Sequence, residues 1–186
     1  RRLKMAATII SVINCKGGVG KTATTISLAT SLREKRKKVL VVDIDFQADS
    51  TFILGVEESY VKNSHVGVAL KHPEVFPDLI EEVVYFKKEG NKKRKRTIDL
   101  CPSHQSLKDV LHYLVVNDVT AKDVRLKAAI KTVKDNYDYI LIDCGAKLAL
   151  DTINALAASD YYIPIVDSKP LATKNLKVIR FSAPCY

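Results

Sequence analysis

The chain has 186 residues, of which 47% are hydrophobic, and its net charge is +9. With no glycine-rich linker and no internal repeat, it is expected to be a single domain over 1–186 that buries a sizeable core. The composition excludes a transmembrane protein, because no apolar run approaches the roughly 20 residues that cross a bilayer. The four cysteines form no Cys-x-x-Cys pair. We therefore expect a cytoplasmic protein with free thiols.

A strand is predicted at 7–13, and a phosphate-binding loop follows it. Residues 14–25 read Asn-Cys-Lys-Gly-Gly-Val-Gly-Lys-Thr-Ala-Thr-Thr, with Cys15 in the place of the first Walker A glycine. The remaining glycines let backbone N–H groups converge on phosphate oxygens, and a helix predicted at 22–36 adds its positive dipole end. The residues expected to hold the nucleotide are Lys16, Gly17, Gly18, Val19, Gly20, Lys21, Thr22 and Ala23.

Two lysines, five positions apart, distinguish this loop from an ordinary one. The spacing assigns Lys21 to the terminal phosphates and the Thr22 hydroxyl to Mg²⁺. Lys16 is poorly placed for the nucleotide of its own subunit, but it is well placed to reach a nucleotide in a facing subunit. There it would stabilise the negative charge that shifts onto the phosphate oxygens during the reaction, as an arginine finger does. We predict catalytic roles for Lys16 and Lys21, in a dimer that forms with bound ATP.

Acidic residues follow two further predicted strands. Asp43 and Asp45 come after a strand at 39–42, and Asp143 comes after a strand at 139–142. Ligands of open α/β sheets bind at the carboxyl ends of the strands, so these carboxylates are expected beside the loop. Asp143 would hold Mg²⁺ through a water molecule. Of the other two, one carboxylate can orient the metal shell and the other the attacking water.

The rest of the chain alternates between strand and helix patterns. Strands are predicted at 97–101 and 161–166, and helices at 104–116, 120–135 and 148–158. This order argues for an α/β fold with a doubly wound, mostly parallel sheet. The pattern between 56 and 96 is weak, and there we expect a short helix at 65–72, a helix or edge element at 77–87 and a turn at Gly90-Asn91.

Several of these segments together resemble the ParA, Soj and MinD family of deviant Walker A partitioning ATPases, and ParA and Soj most closely. They are Lys-Gly-Gly-Val-Gly-Lys-Thr at 16–22, Val-Val-Asp-Ile-Asp-Phe-Gln at 41–47, Tyr-Asp-Tyr-Ile-Leu-Ile-Asp-Cys at 137–144 and Thr-Ile-Asn-Ala-Leu-Ala-Ala-Ser-Asp at 152–160. The resemblance implies an ATP hydrolase that uses ATP or ADP with Mg²⁺ and is a homodimer in its ATP state. It ties hydrolysis to Asp45, and the metal site is then predicted at Thr22, Asp43 and Asp143.

The resemblance also implies plasmid or chromosome partitioning on DNA, a nucleoid-associated location and a centromere-binding partner of the ParB kind. The main departure is Gly145-Ala146-Lys147, which replaces the Pro-Pro-Ser of the family after the Walker B strand. It bears on regulation and partners more than on nucleotide binding. The related proteins continue beyond Tyr186, so the chain is expected to be truncated at its C-terminus.

The positive charge is concentrated in 87–96, which holds seven basic residues and one acidic residue. This segment suggests nonspecific contact with DNA, although 91–96 can equally be a solvated turn before a strand.

Three alternative functions remain open. A membrane-recruited division regulator of the MinD kind needs a C-terminal amphipathic helix, and none is visible before Tyr186. A metal-cluster carrier needs paired cysteines, for which Cys144 is weak evidence. A non-hydrolysing nucleotide-binding module would dimerise with ATP but show no turnover.

Overall fold

The structure, a computed structural model, describes residues 6–89, 92–118 and 122–166. Its strands are β1 (Thr8–Ile13), β2 (Val39–Asp43), β3 (Glu81–Glu89), β4 (Lys92–Cys101), β5 (Tyr139–Asp143) and β6 (Tyr161–Pro164). They form one sheet in the order β3-β4-β2-β5-β1-β6. All neighbouring strands in it pair in parallel except β3 and β4, which are antiparallel. The predicted doubly wound, mostly parallel α/β sheet is confirmed.

Helices cover both faces of this sheet. The α-helices of the described residues are α1 (Lys21–Glu34), α2 (Asp49–Ile53), α3 (Glu58–Val61), α4 (Val66–Lys71), α5 (Leu107–Asn117), α6 (Arg125–Lys131) and α7 (Leu150–Ala158). Alternate residues of the central strands enter different cores: Leu40 and Val42 pack in the core that includes α4 to α7, while Val39 and Val41 pack with α1. Burial on both faces explains why these strands are continuous apolar runs. None of the helices in the described ranges is long and apolar enough to span a membrane.

Helix α1 ends two residues before the predicted boundary at 36. Arg36 has a left-handed backbone with φ of 59°, and its N–H bonds the carbonyl of Arg33. The next N–H, from Lys37, bonds the carbonyl of Leu32. This paired pattern is a Schellman motif, which closes a helix and turns the chain away from it.

Between 56 and 96, where the sequence pattern is weak, one prediction is confirmed and another is wrong. Helix α4 lies inside the segment predicted at 65–72. The segment predicted at 77–87 is an edge strand from Glu81 onward, whereas its first residues end a 3₁₀ helix over Pro73–Leu79. The alternative of a solvated turn is wrong for 92–96, because these residues belong to β4 and pair with β3. The charged side chains of this segment show no alternation of apolar and polar residues, so the sequence did not indicate a strand. The strand is stabilised by its pairing with β3. The turn at Gly90-Asn91 lies outside the described residues.

The helix predicted at 120–135 is broken into shorter pieces. A 3₁₀ turn over Lys122–Val124 precedes α6, and another over Lys134–Asn136 follows it. Residues 120 and 121 lie outside the described part. The boundaries of the other predicted strands and helices agree with the structure to within three residues, apart from β4, whose basic N-terminal half was not predicted as strand.

Candidate nucleotide site

The loop between β1 and α1 forms an open glycine cradle. Gly18 and Gly20 have left-handed backbones, with φ of 70° and 93°. A Cβ added at Gly17, Gly18 or Gly20 would meet no atom of the described residues within 4 Å, so the loop faces open space. Asn14 braces the loop, because its Oδ1 accepts the N–H of Lys16 at 2.7 Å. Backbone donors in such a concave loop at a helix N-terminus favour an anion.

The two lysines of the loop occupy different environments. Lys21 is buried, and its Nζ donates to the carbonyl oxygen of Lys16 at 3.1 Å across the loop. The Lys16 side chain is exposed. This geometry is compatible with the two roles predicted for the lysines. The ammonium of Lys21 is fixed inside the cradle, and Lys16 lies where another molecule can reach it.

Asp143 is buried at the end of β5, directly beside the start of α1. Its Oδ2 accepts the Ser50 hydroxyl at 2.6 Å, and its Oδ1 accepts the Thr25 hydroxyl at 3.3 Å. The Thr22 hydroxyl also donates to this carboxylate. Burial raises the pKa of Asp143, and these three hydroxyl donors counteract part of that rise. The structure thus brings together Thr22 and Asp143, two of the residues predicted to hold Mg²⁺.

Asp43, the third predicted metal residue, is fully buried and surrounded by protein donors. Its Oδ2 accepts from the N–H and the hydroxyl of Thr51, at 2.9 and 2.8 Å, and its Oδ1 accepts the Asp45 N–H at 3.1 Å. Burial, followed by the charge of Asp143, raises the pKa of Asp43 to about 8. Direct metal binding would have to compete with these donors. The role of Asp43 in the metal site stays a prediction.

Asp45 lies just past the end of β2 and is half-buried. Its Oδ1 accepts the Gln47 N–H at 3.1 Å, and burial raises the pKa of its carboxyl group. A Cβ built on Gly145 would lie 3.3 Å from Asp45 Oδ1 and 3.4 Å from Asp151 Oδ2. The glycine that departs from the family pattern therefore leaves room for two carboxylates beside it.

Histidine, cysteine and acidic side chains within 6–89, 92–118 and 122–166 form no group of three or more that could hold a metal ion. Mg²⁺ does not require such a group, since it usually binds one or two carboxylates together with substrate phosphates. Cys144, next to Asp143, is fully buried, and burial followed by the charge of Asp143 raises the pKa of its thiol. A buried neutral thiol is a poor metal ligand.

Comparison with known proteins identifies the family. A family model described as an AAA domain matches residues 7–181. The chain is 37% identical over 168 residues to the sporulation initiation inhibitor protein Soj of Bacillus subtilis, an alignment that covers 90% of this chain and 61% of Soj. The chain belongs to the ParA/Soj/MinD family of P-loop proteins.

Solved structures of related proteins share this fold. A plasmid partition protein from Borrelia burgdorferi is 30% identical, with a TM-score of 0.76 over 96% of this chain and 73% of that protein. Cobyrinic acid a,c-diamide synthase from Mycobacterium smegmatis, solved with ADP and magnesium, is 25% identical, with a TM-score of 0.79 over 95% and 66% of the two chains. The chain spans roughly half to three fifths of the length of the curated relatives it matches.

The candidate site also contains polar residues that sequence reasoning missed. Thr25 and Ser50 bond Asp143, Thr51 bonds Asp43, and Asp151 lies with Asp45 beside Gly145. Thr25 had a usable signal, because it lies four residues after Lys21 and so on the same side of the helix. Ser50 and Asp151 carried no comparable local signal, since their partners lie in distant segments of the chain. No pattern indicated the bond of Thr51 to Asp43, eight positions earlier.

Two histidines, His65 and His104, are buried in a network that the sequence did not indicate. His65 Nδ1 accepts the Gly67 N–H at 3.2 Å, so Nε2 carries the proton and donates to the Ser106 hydroxyl at 3.0 Å. Ser106 in turn bonds His104 Nδ1 at 2.7 Å. Burial, and then the proximity of His104, lowers the pKa of His65 to about 4. The network requires a neutral His65.

We expect acid to destabilise the protein through His65. Its pKa in the folded state is lower than in the unfolded chain, so its contribution is complete above pH 6.5 and is lost as the pH falls from 6.5 towards 4. The free energy of unfolding should fall by about 2 kcal/mol from this group over that range. Urea unfolding at several pH values measures it. His65→Gln should flatten the curve, whereas His112→Gln, at an exposed position, should not; parallel curves for wild type and His65→Gln would contradict the assignment.

Proposed function

We propose that this protein is a ParA-like ATPase that binds ATP with Mg²⁺, dimerises in the ATP state and functions in plasmid or chromosome partitioning on DNA. A centromere-binding partner of the ParB kind and a nucleoid-associated location in the cytoplasm belong to the same proposal. Membership of the family supports it. The observation that carries it is the buried Lys21, whose ammonium lies inside an open glycine cradle, together with the exposure of Lys16 in the same loop.

The residues of the cradle fit a nucleoside triphosphate and its metal ion. We propose that the N–H groups of 17–23 hold phosphate oxygens and that Lys21 neutralises their charge. Thr22, Asp43 and Asp143 form the proposed metal site, with Asp43 acting through the backbone of Asp45 and through Thr51. Bound Mg²⁺ supplies a Lewis acid that neutralises charge on the phosphate oxygens.

Asp45 is the residue that we propose for positioning the attacking water. Its Oδ1 is occupied by the Gln47 N–H, so Oδ2 is the oxygen proposed to accept a hydrogen bond from the water. Its half-buried position holds the carboxylate in a fixed orientation. Phosphoryl transfer depends mainly on such positioning, and a strong base is not needed.

Turnover assays with and without nonspecific duplex DNA test this function together with the role of Lys16. Wild type should hydrolyse ATP, faster with DNA, and should sediment as a dimer with ATP. Lys16→Ala should still bind ATP but remain monomeric, with turnover lowered by about tenfold or more, because the proposed charge across the interface is lost. The matched control is Lys131→Ala, at an exposed lysine of α6. Wild-type turnover and dimerisation in Lys16→Ala would refute the proposal.

The hairpin of β3 and β4 supports contact with DNA by one of its two faces. On the face towards α1, Lys87 Nζ lies 2.6 Å and Arg96 Nε 3.7 Å from the Glu34 carboxylate, which offsets their charge. Residues directly opposite in the register share a face, and Phe86 pairs with Lys95. Lys93 lies two residues before Lys95 and therefore shares the face turned away from α1.

We predict that the face turned away from α1 binds DNA and that Lys93 and Lys95 carry much of the affinity. Both side chains are exposed, and Phe86 beside them is 66% exposed. The double variant Lys93→Gln, Lys95→Gln should bind a nonspecific duplex about tenfold more weakly. The number of counterions released on binding, read from the salt dependence of the affinity, should fall by about two. Fluorescence anisotropy over a salt series measures both. The control is a double replacement of Lys127 and Lys131 by glutamine, and equal losses in both double variants would contradict this assignment.

A further inference from the structure

A second cleft, of about 360 Å³, adjoins the segment that follows Asp45. Its walls come from residues 46–49, Thr51, Phe52, Val56 and Val61 and from Ser103, Gln105 and Lys108. None of the residues of the phosphate loop is among those that line it. The volume lies within the range of ligand pockets, and the position at the carboxyl ends of β2 and β4 is where α/β sheets bind ligands.

Ser103 supplies an unsatisfied hydroxyl group in this cleft. The residue is fully buried, and its N–H donates to Thr51 Oγ1 at 2.9 Å. Its side-chain oxygen has no hydrogen-bond partner among the described residues. A buried hydroxyl without a partner is unfavourable and uncommon in folded proteins. A polar atom of a ligand in the cleft would satisfy it.

The cleft presents a fixed cation beside apolar walls. The Lys108 ammonium lies 4.3 Å from the centroid of the Phe46 ring, and this cation–π contact holds it at the wall. Asp49 also lines the cleft, so the overall charge balances. The combination of Val56, Val61 and one positioned ammonium suits an apolar group that is accompanied by a single carboxylate.

The surroundings favour a protein segment as the occupant. Phe52 on α2 is 80% exposed and Tyr60 on α3 is 79% exposed. Ile53, next to Phe52, is 59% exposed. These helices form the wall of the cleft, so apolar surface continues beyond it. Exposed aromatic and aliphatic residues around a pocket are typical of protein interaction sites.

We propose that this cleft binds a segment of a partner protein in which an apolar side chain is followed by a carboxylate. The apolar side chain packs against Val56 and Val61, the carboxylate pairs with Lys108, and a backbone group of the segment bonds the Ser103 hydroxyl. The occupant thereby contacts a part of the chain that also supports the acidic residues of the nucleotide site.

Occupancy of the cleft reaches the nucleotide site through two hydrogen bonds. Gln47 lines the cleft and donates its N–H to Asp45, and Thr51 lines the cleft and donates to Asp43. A bound segment restricts both donors and so fixes the carboxylates that they orient. This effect on turnover rests on the proposed function, whereas binding in the cleft does not.

A peptide titration without nucleotide tests the site. The probe is an acetylated and amidated tetrapeptide, Gly-Phe-Asp-Gly, added to the ¹⁵N-labelled chain and followed by amide chemical shifts. We expect saturable shifts at 46–52 and 103–108. Peptides in which alanine replaces phenylalanine, or asparagine replaces aspartate, should bind about fivefold more weakly or not at all. Absence of saturable shifts, or equal binding of all three peptides, overturns the proposal.

Variants of the cleft make the test specific. Lys108→Gln should lower the affinity for the probe peptide by about fivefold. Ser103→Ala should also weaken it, without lowering the stability of the free protein, because the hydroxyl removed there has no partner. Lys127→Gln, at an exposed lysine of α6, should bind as wild type does. If Ser103→Ala and Lys108→Gln bind the probe unchanged, the site is wrong. Such a failure leaves the ATPase proposal intact, since the titration contains no ATP.

Discussion

Replacing Asp45 with asparagine is expected to lower ATP turnover by about 10³-fold while ATP affinity stays within about threefold of wild type. Asparagine retains the oxygen that accepts the Gln47 N–H, so the loop after β2 should keep its conformation. It removes the negative charge that we propose orients the attacking water. Single-turnover kinetics and calorimetric ATP binding, measured on the same preparations, separate loss of the chemical step from loss of binding.

The matched control for Asp45 is Asp49→Asn. Asp49 lies four residues further along the chain, is exposed, and influences the Asp45 carboxyl group only through its charge. It should therefore retain turnover within about threefold. If Asp45→Asn hydrolyses ATP at the wild-type rate, another group positions the water. Asp151, which also lies beside Gly145, would then be the next residue to replace.

Replacing Lys21 with alanine is expected to weaken ATP binding by about 100-fold or more, and turnover should be lost with it. Its ammonium is buried inside the cradle and donates to the Lys16 carbonyl oxygen, so it already lies among the backbone donors proposed for the phosphates. Isothermal titration calorimetry measures the affinity directly. Removal of a buried charge should not unfold the protein, and urea unfolding verifies this for the variant.

Lys35→Ala is the control for Lys21. Lys35 is exposed at the other end of α1, where a lysine contributes little to a site at the helix N-terminus. It should bind ATP as wild type does. Retention of wild-type affinity by Lys21→Ala would mean that the glycine cradle does not hold the terminal phosphates, and the proposed function would fail with it.

The two predictions together separate this proposal from two of its alternatives, the non-hydrolysing module and the metal-cluster carrier. A non-hydrolysing nucleotide-binding module would bind ATP and depend on Lys21, but its turnover would be negligible in wild type and in Asp45→Asn alike. A metal-cluster carrier would depend on a reactive thiolate. The full burial of Cys144 and the raised pKa of its thiol do not favour that chemistry.

The sequence was informative wherever function depends on a short local segment. The strands at 7–13, 39–42 and 139–142 were recognisable because strands buried on both faces are continuous apolar runs. The glycine cradle was recognisable because closely spaced backbone donors require residues that tolerate left-handed geometry. Lys16 and Lys21 were recognisable for a different reason: their spacing within one loop fixes their approximate positions.

Contacts between distant segments were not predictable in this way. Asp143 meets Ser50, which is 93 positions away in the chain. Such partners are selected by how helices pack on the sheet, and a local pattern carries no information about that choice. The bonds from Thr51 to Asp43, eight positions apart, were not predicted either.

Residues 92–96, on the surface of the molecule, show the same difference between what local sequence predicts and what tertiary structure decides. Their composition alone determined that they carry a strong positive charge. Only the tertiary structure decided that they form an edge hairpin, with Arg96 held at Glu34 and Lys95 on the opposite face. Local sequence fixes the charge and conformational freedom of each residue, whereas cross-strand pairing and helix packing fix which residues face one another and which face solvent.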